Sequence, residues 1–217
     1  MHIAAIMDGN RRWAQKNKWK KFLGHQKGVQ VLEDIVLACP QYDIKVFTVY
    51  ALSTENLQRA SQELNDLFKI IIDFCQKKEN FKKNNIKVKI LGNIKLLPSK
   101  VQESLFQLET YTNNSSGLLF QICLAYGGRN EIIRSMKKTM KNKEEINEKN
   151  IQKNLDSESE PDLIIRTGGH QRLSNFLIWQ GAYSEFLFLD KMWPDFTKKD
   201  LEEAICYFKK QKRNFGK

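Results

Sequence analysis

Asp8-Gly9-Asn10-Arg11-Arg12-Trp13 stands directly behind the short apolar run His2-Ile3-Ala4-Ala5-Ile6-Met7. An acidic side chain, a glycine and paired arginines at the end of a buried strand combine a metal ligand with positive charge suited to phosphate oxygens. They also offer a backbone that a ligand can approach closely. Such equipment suits an anionic, diphosphate-bearing substrate. Glycine and asparagine also build ordinary strand-to-helix turns, however, and arginines commonly sit in water. Six residues cannot decide between the two readings, so the decision falls to the rest of the chain.

Short apolar or β-branched runs recur at Ile3–Met7, Val46–Leu52, Ile86–Leu91, Leu118–Ala125, Leu163–Ile165 and Phe186–Leu189. Helical patterns separate most of them. Leu64, Leu67, Phe68, Ile71, Ile72 and Cys75 follow i, i+3, i+4, i+7, i+8, i+11 spacing and predict a helix from Ser61 to Asn80. Further helices are expected over Gly28–Ala38, from a Ser99/Gln102 capping box through Thr110, over Asn130–Lys143 and over Thr197–Lys212. Strands alternating with helices predict a single α/β domain spanning residues 1–217, with a mostly parallel central sheet flanked by helices on both faces.

In such sheets ligands bind beyond the carboxyl ends of the strands. The first run leads into Asp8-Gly9-Asn10-Arg11-Arg12, the second into Ser53-Thr54-Glu55-Asn56 with Arg59 close behind, the fourth into Tyr126-Gly127-Gly128-Arg129-Asn130, and the fifth into Arg166-Thr167-Gly168-Gly169. Four strand ends rich in phosphate-compatible groups would therefore meet at one rim, which coincidence explains poorly.

The net charge of +11 points to an anionic partner: nucleic acid, an acidic membrane surface or a phosphorylated small molecule. Lysines between Lys137 and Lys153 read more simply as solvated helix faces. Cys39, Cys75, Cys123 and Cys206 form no C-x-x-C pair, and three of them fall in core-like segments, which fits a reduced, cytoplasmic setting. The sequence has no leader-like start and no apolar run of the ~18 residues a membrane span needs.

Met7–Ala14, Gly24-His25, Tyr50-Ala51-Leu52-Ser53-Thr54-Glu55-Asn56, Tyr126–Arg129, Asp162–Gly169, Arg172-Leu173-Ser174-Asn175-Phe176 and Trp193-Pro194-Asp195-Phe196 together resemble the cis-prenyltransferase family across nearly the whole chain. The acidic DDxxD box of the unrelated all-helical trans-prenyltransferases is absent.

This resemblance implies condensation of an allylic diphosphate such as farnesyl diphosphate with successive isopentenyl diphosphate units. Each new double bond would be Z, and the product would be undecaprenyl diphosphate, the lipid carrier precursor of cell-wall synthesis. It also implies Mg²⁺, a homodimer and a cytoplasmic enzyme that touches the inner face of the membrane transiently for product release. By likeness, Asp8 is the central carboxylate holding Mg²⁺ against a diphosphate, and Glu185 helps with the metal near the dimer interface. Gly9, Asn10 and Arg12 line the allylic diphosphate site, with Arg11 and Trp13 in the same motif and Lys21, His25 and Arg59 completing it. Arg166, Arg172 and Ser174 hold isopentenyl diphosphate. Asn56 and Ser53 lie near the reacting carbons, with Thr54 and Glu55 beside them, and no residue is a convincing lone general base. Glu55 and Glu63 read as braces for arginines. The growing chain is expected between the sheet and the Ser61–Asn80 helix, with Leu52, Phe74 and Leu118 as lining. His25 reads as a phosphate contact in a basic loop.

Several positions depart from the family pattern. Arg11 replaces a glycine, Lys21 stands where many relatives carry arginine, Leu57 replaces a tryptophan, and His170-Gln171 stands where bacterial relatives show glutamate-histidine. Asn214 lacks the arginine expected near the C-terminus. Two other readings compete: a non-catalytic partner subunit, opposed by retention of the residues above, and a basic nucleic-acid-binding protein, opposed by the lack of an aromatic-interleaved basic patch or base-reading motif.

Overall fold

A computed structural model describes residues 1–212; Arg213, Asn214 and the rest of the C-terminus lie outside the described residues. Six strands, β1 (His2–Ile6), β2 (Val46–Ser53), β3 (Ile86–Leu91), β4 (Leu118–Tyr126), β5 (Leu163–Arg166) and β6 (Glu185–Phe188), form one sheet in the order β3-β4-β2-β1-β5-β6. Every pairing is parallel. The near-continuous apolar composition of β1 and β4 is what a sheet covered on both faces requires.

The covering helices are α1 (Asn10–Lys16), α2 (Lys21–Ala38), α3 (Ser61–Cys75), α4 (Lys78–Lys83), α5 (Ser99–Thr112), α6 (Gly128–Lys141), α7 (Glu148–Lys153) and α8 (Lys198–Lys209). A main core of Ile3, Ile35, Phe47, Phe120, Leu105 and Trp193 fills one face of the sheet. On the other face a smaller cluster packs around Ile164, Tyr126 and Phe176. Cys39, Cys75 and Cys123 are buried as expected, and Cys206 is exposed.

Three local expectations need correction. The Ser61–Asn80 helix stops at Cys75 and restarts as α4, because the break drops Phe81 into the core 5.2 Å from Phe74 and 6.1 Å from Phe120. The Ser99/Gln102 capping box does not form. Pro98 is the N-cap and has no N–H for Gln102 to accept, so the glutamine side chain turns back to Leu97 O at 2.7 Å instead. His25 sits within α2 and not in a loop. The short helices α1 and α7 lack the apolar periodicity that would have announced them; α7 is capped by Asn147, whose side chain accepts from Asn150 N.

On β3, which has no strand on its outer side, Val88 N–H donates to Thr112 Oγ1 and Ile90 N–H to Glu109 Oε1, both from α5, so that edge is covered. β1 and β5 end level, with Ile6 opposite Arg166, while β2, whose Tyr50 faces Ile6, runs on to Ser53, and these ends build the rim of the site.

Candidate active site at the carboxyl ends of the strands

After β1 the chain must leave the sheet and start a helix within four residues. Gly9 makes this possible with φ 109°, and a Cβ there would lie 2.8 Å from the Met192 side chain. The turn leaves the Asp8 carbonyl accepting from Trp193 N–H at 3.0 Å and Thr167 Oγ1 at 2.7 Å, which fixes the backbone beneath the carboxylate. The carboxylate itself lies between two guanidinium groups. Arg12 Nη2 is 3.3 Å from Oδ1, and Arg166 Nη2 is 2.9 Å from Oδ2. Burial pushes the Asp8 carboxyl upward, but the hydrogen bond and charge of Arg166, joined by Arg12, outweigh it and hold the group below the ordinary carboxylate range. Asp8 is ionised at neutral pH.

Arg166 ends β5 with its side chain only 5% exposed. Its Nη1 donates to Ser174 Oγ at 2.8 Å and to the Arg172 carbonyl. The loop that supplies both acceptors winds through left-handed conformations at Ser174 and Asn175. Tyr50 pins it, stacking on Phe176 at 4.7 Å and donating to Ser174 O at 3.3 Å.

On the opposite side, Glu63 of α3 holds Arg59 at 3.1 Å and Arg11 at 3.6 Å, so it is the brace for arginines that its position suggested. Glu55 is not. It accepts from Asn175 Nδ2 at 3.0 Å and Thr54 Oγ1 at 3.2 Å, and so ties the second strand end to the Arg172–Asn175 loop. Ser53 Oγ caps the next turn by accepting from Asn56 N–H at 3.1 Å.

Two polar clefts result. One of ≈ 350 Å³ is lined by Asp8, Gly9, Asn10, Arg11, Arg12, Gln15, His25 and Arg59. The second, of ≈ 650 Å³, shares Asp8, Asn10, His25 and Arg59 with it and adds Ser53, Glu55, Asn56, Arg166, Arg172 and Ser174. Beneath both lies an apolar chamber of ≈ 100 Å³ between the sheet and α2, α3 and α5, walled by Leu32, Leu52, Ile70, Phe74, Leu105 and Ile122. Met7, Asn10 and His25 line all three spaces. Leu52 and Phe74 thus line the chamber as expected. Leu118, at the amino end of β4, does not.

Asn10 Oδ1, His25 Nε2 and Arg166 Nε are buried without a hydrogen-bond partner among the described residues. Gly28 admits Asn10, because a Cβ there would lie 2.3 Å from its Oδ1. Buried polar atoms without partners cost about 1–3 kcal/mol each unless something pairs with them. Three such atoms around one cavity mark a place for a polar ligand. Burial, with the Arg59 charge, pulls the His25 imidazole down to about 4, so it is uncharged at neutral pH in the free protein.

The structure leaves four of the expected site residues outside these clefts. Lys21 is exposed at the start of α2. Thr54 packs against Gly127. Trp13 is buried and donates to Asp195 at 2.7 Å, closing α1 onto the Trp193–Asp195 turn. Glu185 begins β6 level with Leu163, at the amino end of the sheet, whereas Asp8 follows its carboxyl end. Conversely, Met7, Tyr50, Gln15 and Asn175 belong to the clefts without having been expected there. Met7, Tyr50 and Asn175 lie inside motifs that carry the family resemblance, and Gln15 directly follows one. Tyr126-Gly127-Gly128-Arg129 is structural, its Gly128 and Arg129 N–H groups donating to Asn175.

Residues 6–216 match the prenyltransferase family described as "Putative undecaprenyl diphosphate synthase". The chain belongs to this family. It is 40% identical to the isoprenyl transferase of Clostridium tetani, covering 99% of this chain and 88% of that protein. It is equally 40% identical to the isoprenyl transferase of Neisseria meningitidis serogroup B, over 100% and 89%. Among solved structures, lavandulyl diphosphate synthase from Lavandula x intermedia, in complex with dimethylallyl diphosphate, superposes with TM-score 0.95 at 33% identity over 100% of this chain and 98% of its own. A structure described as "a probable undecaprenyl diphosphate synthase" from Campylobacter jejuni gives 0.88 at 33% identity over the same shares. The fold, one all-parallel sheet with helices, is therefore that of cis-prenyltransferases, and the clefts belong to an enzyme of this class.

Proposed function

We propose that this cis-prenyltransferase, one catalytic domain over residues 1–217, condenses farnesyl diphosphate with successive isopentenyl diphosphate units into Z-polyprenyl diphosphate. The product is undecaprenyl diphosphate, the carrier precursor for cell-wall synthesis. The observation that carries this reading is the junction at Met7, Asn10 and His25, residues that line both a cationic cleft and an apolar chamber, as an amphipathic diphosphate requires.

In each cycle the allylic C–O bond breaks and its electron pair leaves with the diphosphate. The isopentenyl double bond attacks the allylic carbon, and a proton is then lost to form the new Z double bond. Arg12 and Arg59, with the N–H groups at the start of α1, stabilise the negative charge that grows on the leaving group, and being fixed they need no reorganisation. Arg166, Arg172 and Ser174 hold the isopentenyl diphosphate, and Asn56 and Ser53 orient the reacting carbons. The diphosphate accepts the departing proton, since neither cleft offers a well-placed base of ordinary basicity.

Asp8 suits Mg²⁺: an ionised hard oxygen donor, partly exposed, beside space for water and phosphate oxygens. Among the described residues no cluster of three His, Cys, Asp or Glu exists, so the ion needs the substrate's oxygens as well. When bound, it would neutralise diphosphate charge. Glu185 can reach such a site only from a second copy of the chain, which is why we read the enzyme as a homodimer. No described helix is long and apolar enough to cross a membrane, and we read the protein as cytoplasmic with transient membrane contact.

Incubation with Mg²⁺, farnesyl diphosphate and labelled isopentenyl diphosphate, followed by sizing of the extracted lipids, tests the reading. Label in a ladder of Z-polyprenyl products is expected. No incorporation by folded protein overturns it.

A further inference from the structure

The corner between α1 and α2 concentrates positive charge. From Asp8 to Glu33 the sequence holds seven lysines and arginines and no acidic residue between them. Arg11 and Arg12 line the smaller polar cleft. Lys16, Lys18, Lys20 and Lys27 are exposed and take part in none of the ion pairs among the described residues.

Two large apolar side chains stand among these lysines, Trp19 at 52% exposure and Leu23 at 40%. A merely solvated basic turn has no use for them. Trp19 is also held in place, its ring set edge-on against Trp13 at 5.2 Å, and Lys18 at φ 57° makes the tight turn that presents it. Lysines around a rigid tryptophan and a leucine match the physics of an interfacial anchor. The amines meet anionic headgroups, and the indole settles at the headgroup level. Arg11, Arg12 and Gln15 of the same α1 line the polar cleft, so a bilayer against this corner would lie beside the mouth of the site.

We propose that the α1–α2 corner, Lys16 to Lys27 with Trp19 and Leu23 among its lysines, docks the enzyme on an anionic lipid bilayer. The purpose of docking, passing a greasy product to the membrane, rests on the function proposed above. The contact itself is testable without turnover.

The test is co-sedimentation of the full chain with vesicles of phosphatidylcholine alone or with one-third phosphatidylglycerol, at low and high salt. We expect binding only to the anionic vesicles, lost at ~1 M salt where the screening length falls to about 3 Å. The double variant K18E/K20E should bind at least ~10-fold more weakly, two reversed charges each acting near the surface, while keeping wild-type prenyl transfer in detergent. W19A/L23A should also bind more weakly, with K18E/K20E deciding the matter if W19A/L23A fails to fold. The inactive D8A should sediment like wild type. Equal binding to neutral vesicles, unchanged binding by K18E/K20E, or binding to duplex DNA or RNA without binding to vesicles overturns the proposal. Vesicle binding without prenyl transfer would instead overturn the enzymatic reading and leave the docking surface standing.

Discussion

Arg166 Nη2 lies 2.9 Å from Asp8 Oδ2, although 158 residues separate the two in sequence. The contact joins the end of β5 to the turn after β1, at the one carboxylate that lines both polar clefts. Asp8→Ala should lower turnover by at least ~10²-fold, comparable with loss of a strong electrostatic contact in the transition state. The circular dichroism spectrum should stay native. A folded variant with normal turnover would remove Asp8 from the mechanism.

Arg166 should behave differently from Asp8. Its guanidinium spans Asp8, Ser174 and the Arg172 carbonyl at once, a geometry a lysine cannot copy. Arg166→Ala is expected to raise KM for isopentenyl diphosphate by about 10-fold or more, as loss of a charge-assisted contact implies, and Arg166→Lys to recover little. Steady-state kinetics with each substrate varied in turn will check this. An unchanged KM for isopentenyl diphosphate in both variants counts against the assignment.

Magnesium should bind weakly to the free protein, because Asp8 is the one carboxylate lining the smaller cleft and no group of three His, Cys, Asp or Glu among the described residues is placed to hold a metal. Chelation by EDTA should abolish turnover. In thermal melts, Mg²⁺ together with a non-reactive diphosphate should raise Tm clearly, whereas Mg²⁺ alone should shift it little. An equal shift from the ion alone would mean a complete protein-built metal site.

Acid should weaken the fold before the carboxylates titrate. His2 and His25 are both held down at about 4, chiefly by burial, whereas an unfolded histidine titrates near 6.5. As pH falls from about 6.5 to about 4 the unfolded chain takes up protons that the folded chain refuses, so stability declines with each step. The loss between pH 7 and pH 5 should be on the order of 1–2 kcal/mol per histidine. Below about pH 4 the depressed Asp8 carboxyl adds to it, since its stabilisation vanishes as pH falls through its folded value. Tm measured across this range should flatten in His2→Gln and His25→Gln; identical slopes would place the titration elsewhere.

Phe74 closes the apolar chamber against Phe81 and Phe120. Phe74→Ala should cost about 3–5 kcal/mol of stability as a large-to-small core change. Because the removed ring vacates the chamber wall, the product distribution should also shift to longer chains, read by sizing the extracted lipids. A destabilised variant with the wild-type distribution would show that Phe74 does not limit chain growth.

Sequence by itself determined the six strands to within a residue or two, the alternation that makes the sheet parallel, and the strand ends that carry Asp8, Asn56, Arg59 and Arg166. These are local properties, written in apolar runs and in the polar residues that follow them. Tertiary structure alone decided which neighbours of those residues face the clefts. Lys21 points to solvent, Trp13 is taken by Asp195, and Glu185 stands at the other end of the sheet, while Tyr50 and Asn175 come in. The charge state of His25 was equally illegible, for it depends on water excluded by α2, α3 and the sheet together. Spacing along a chain fixes which face of a strand or helix a residue occupies. Distance to a partner 158 residues away, and the loss of solvent around it, exist only once the layers have packed.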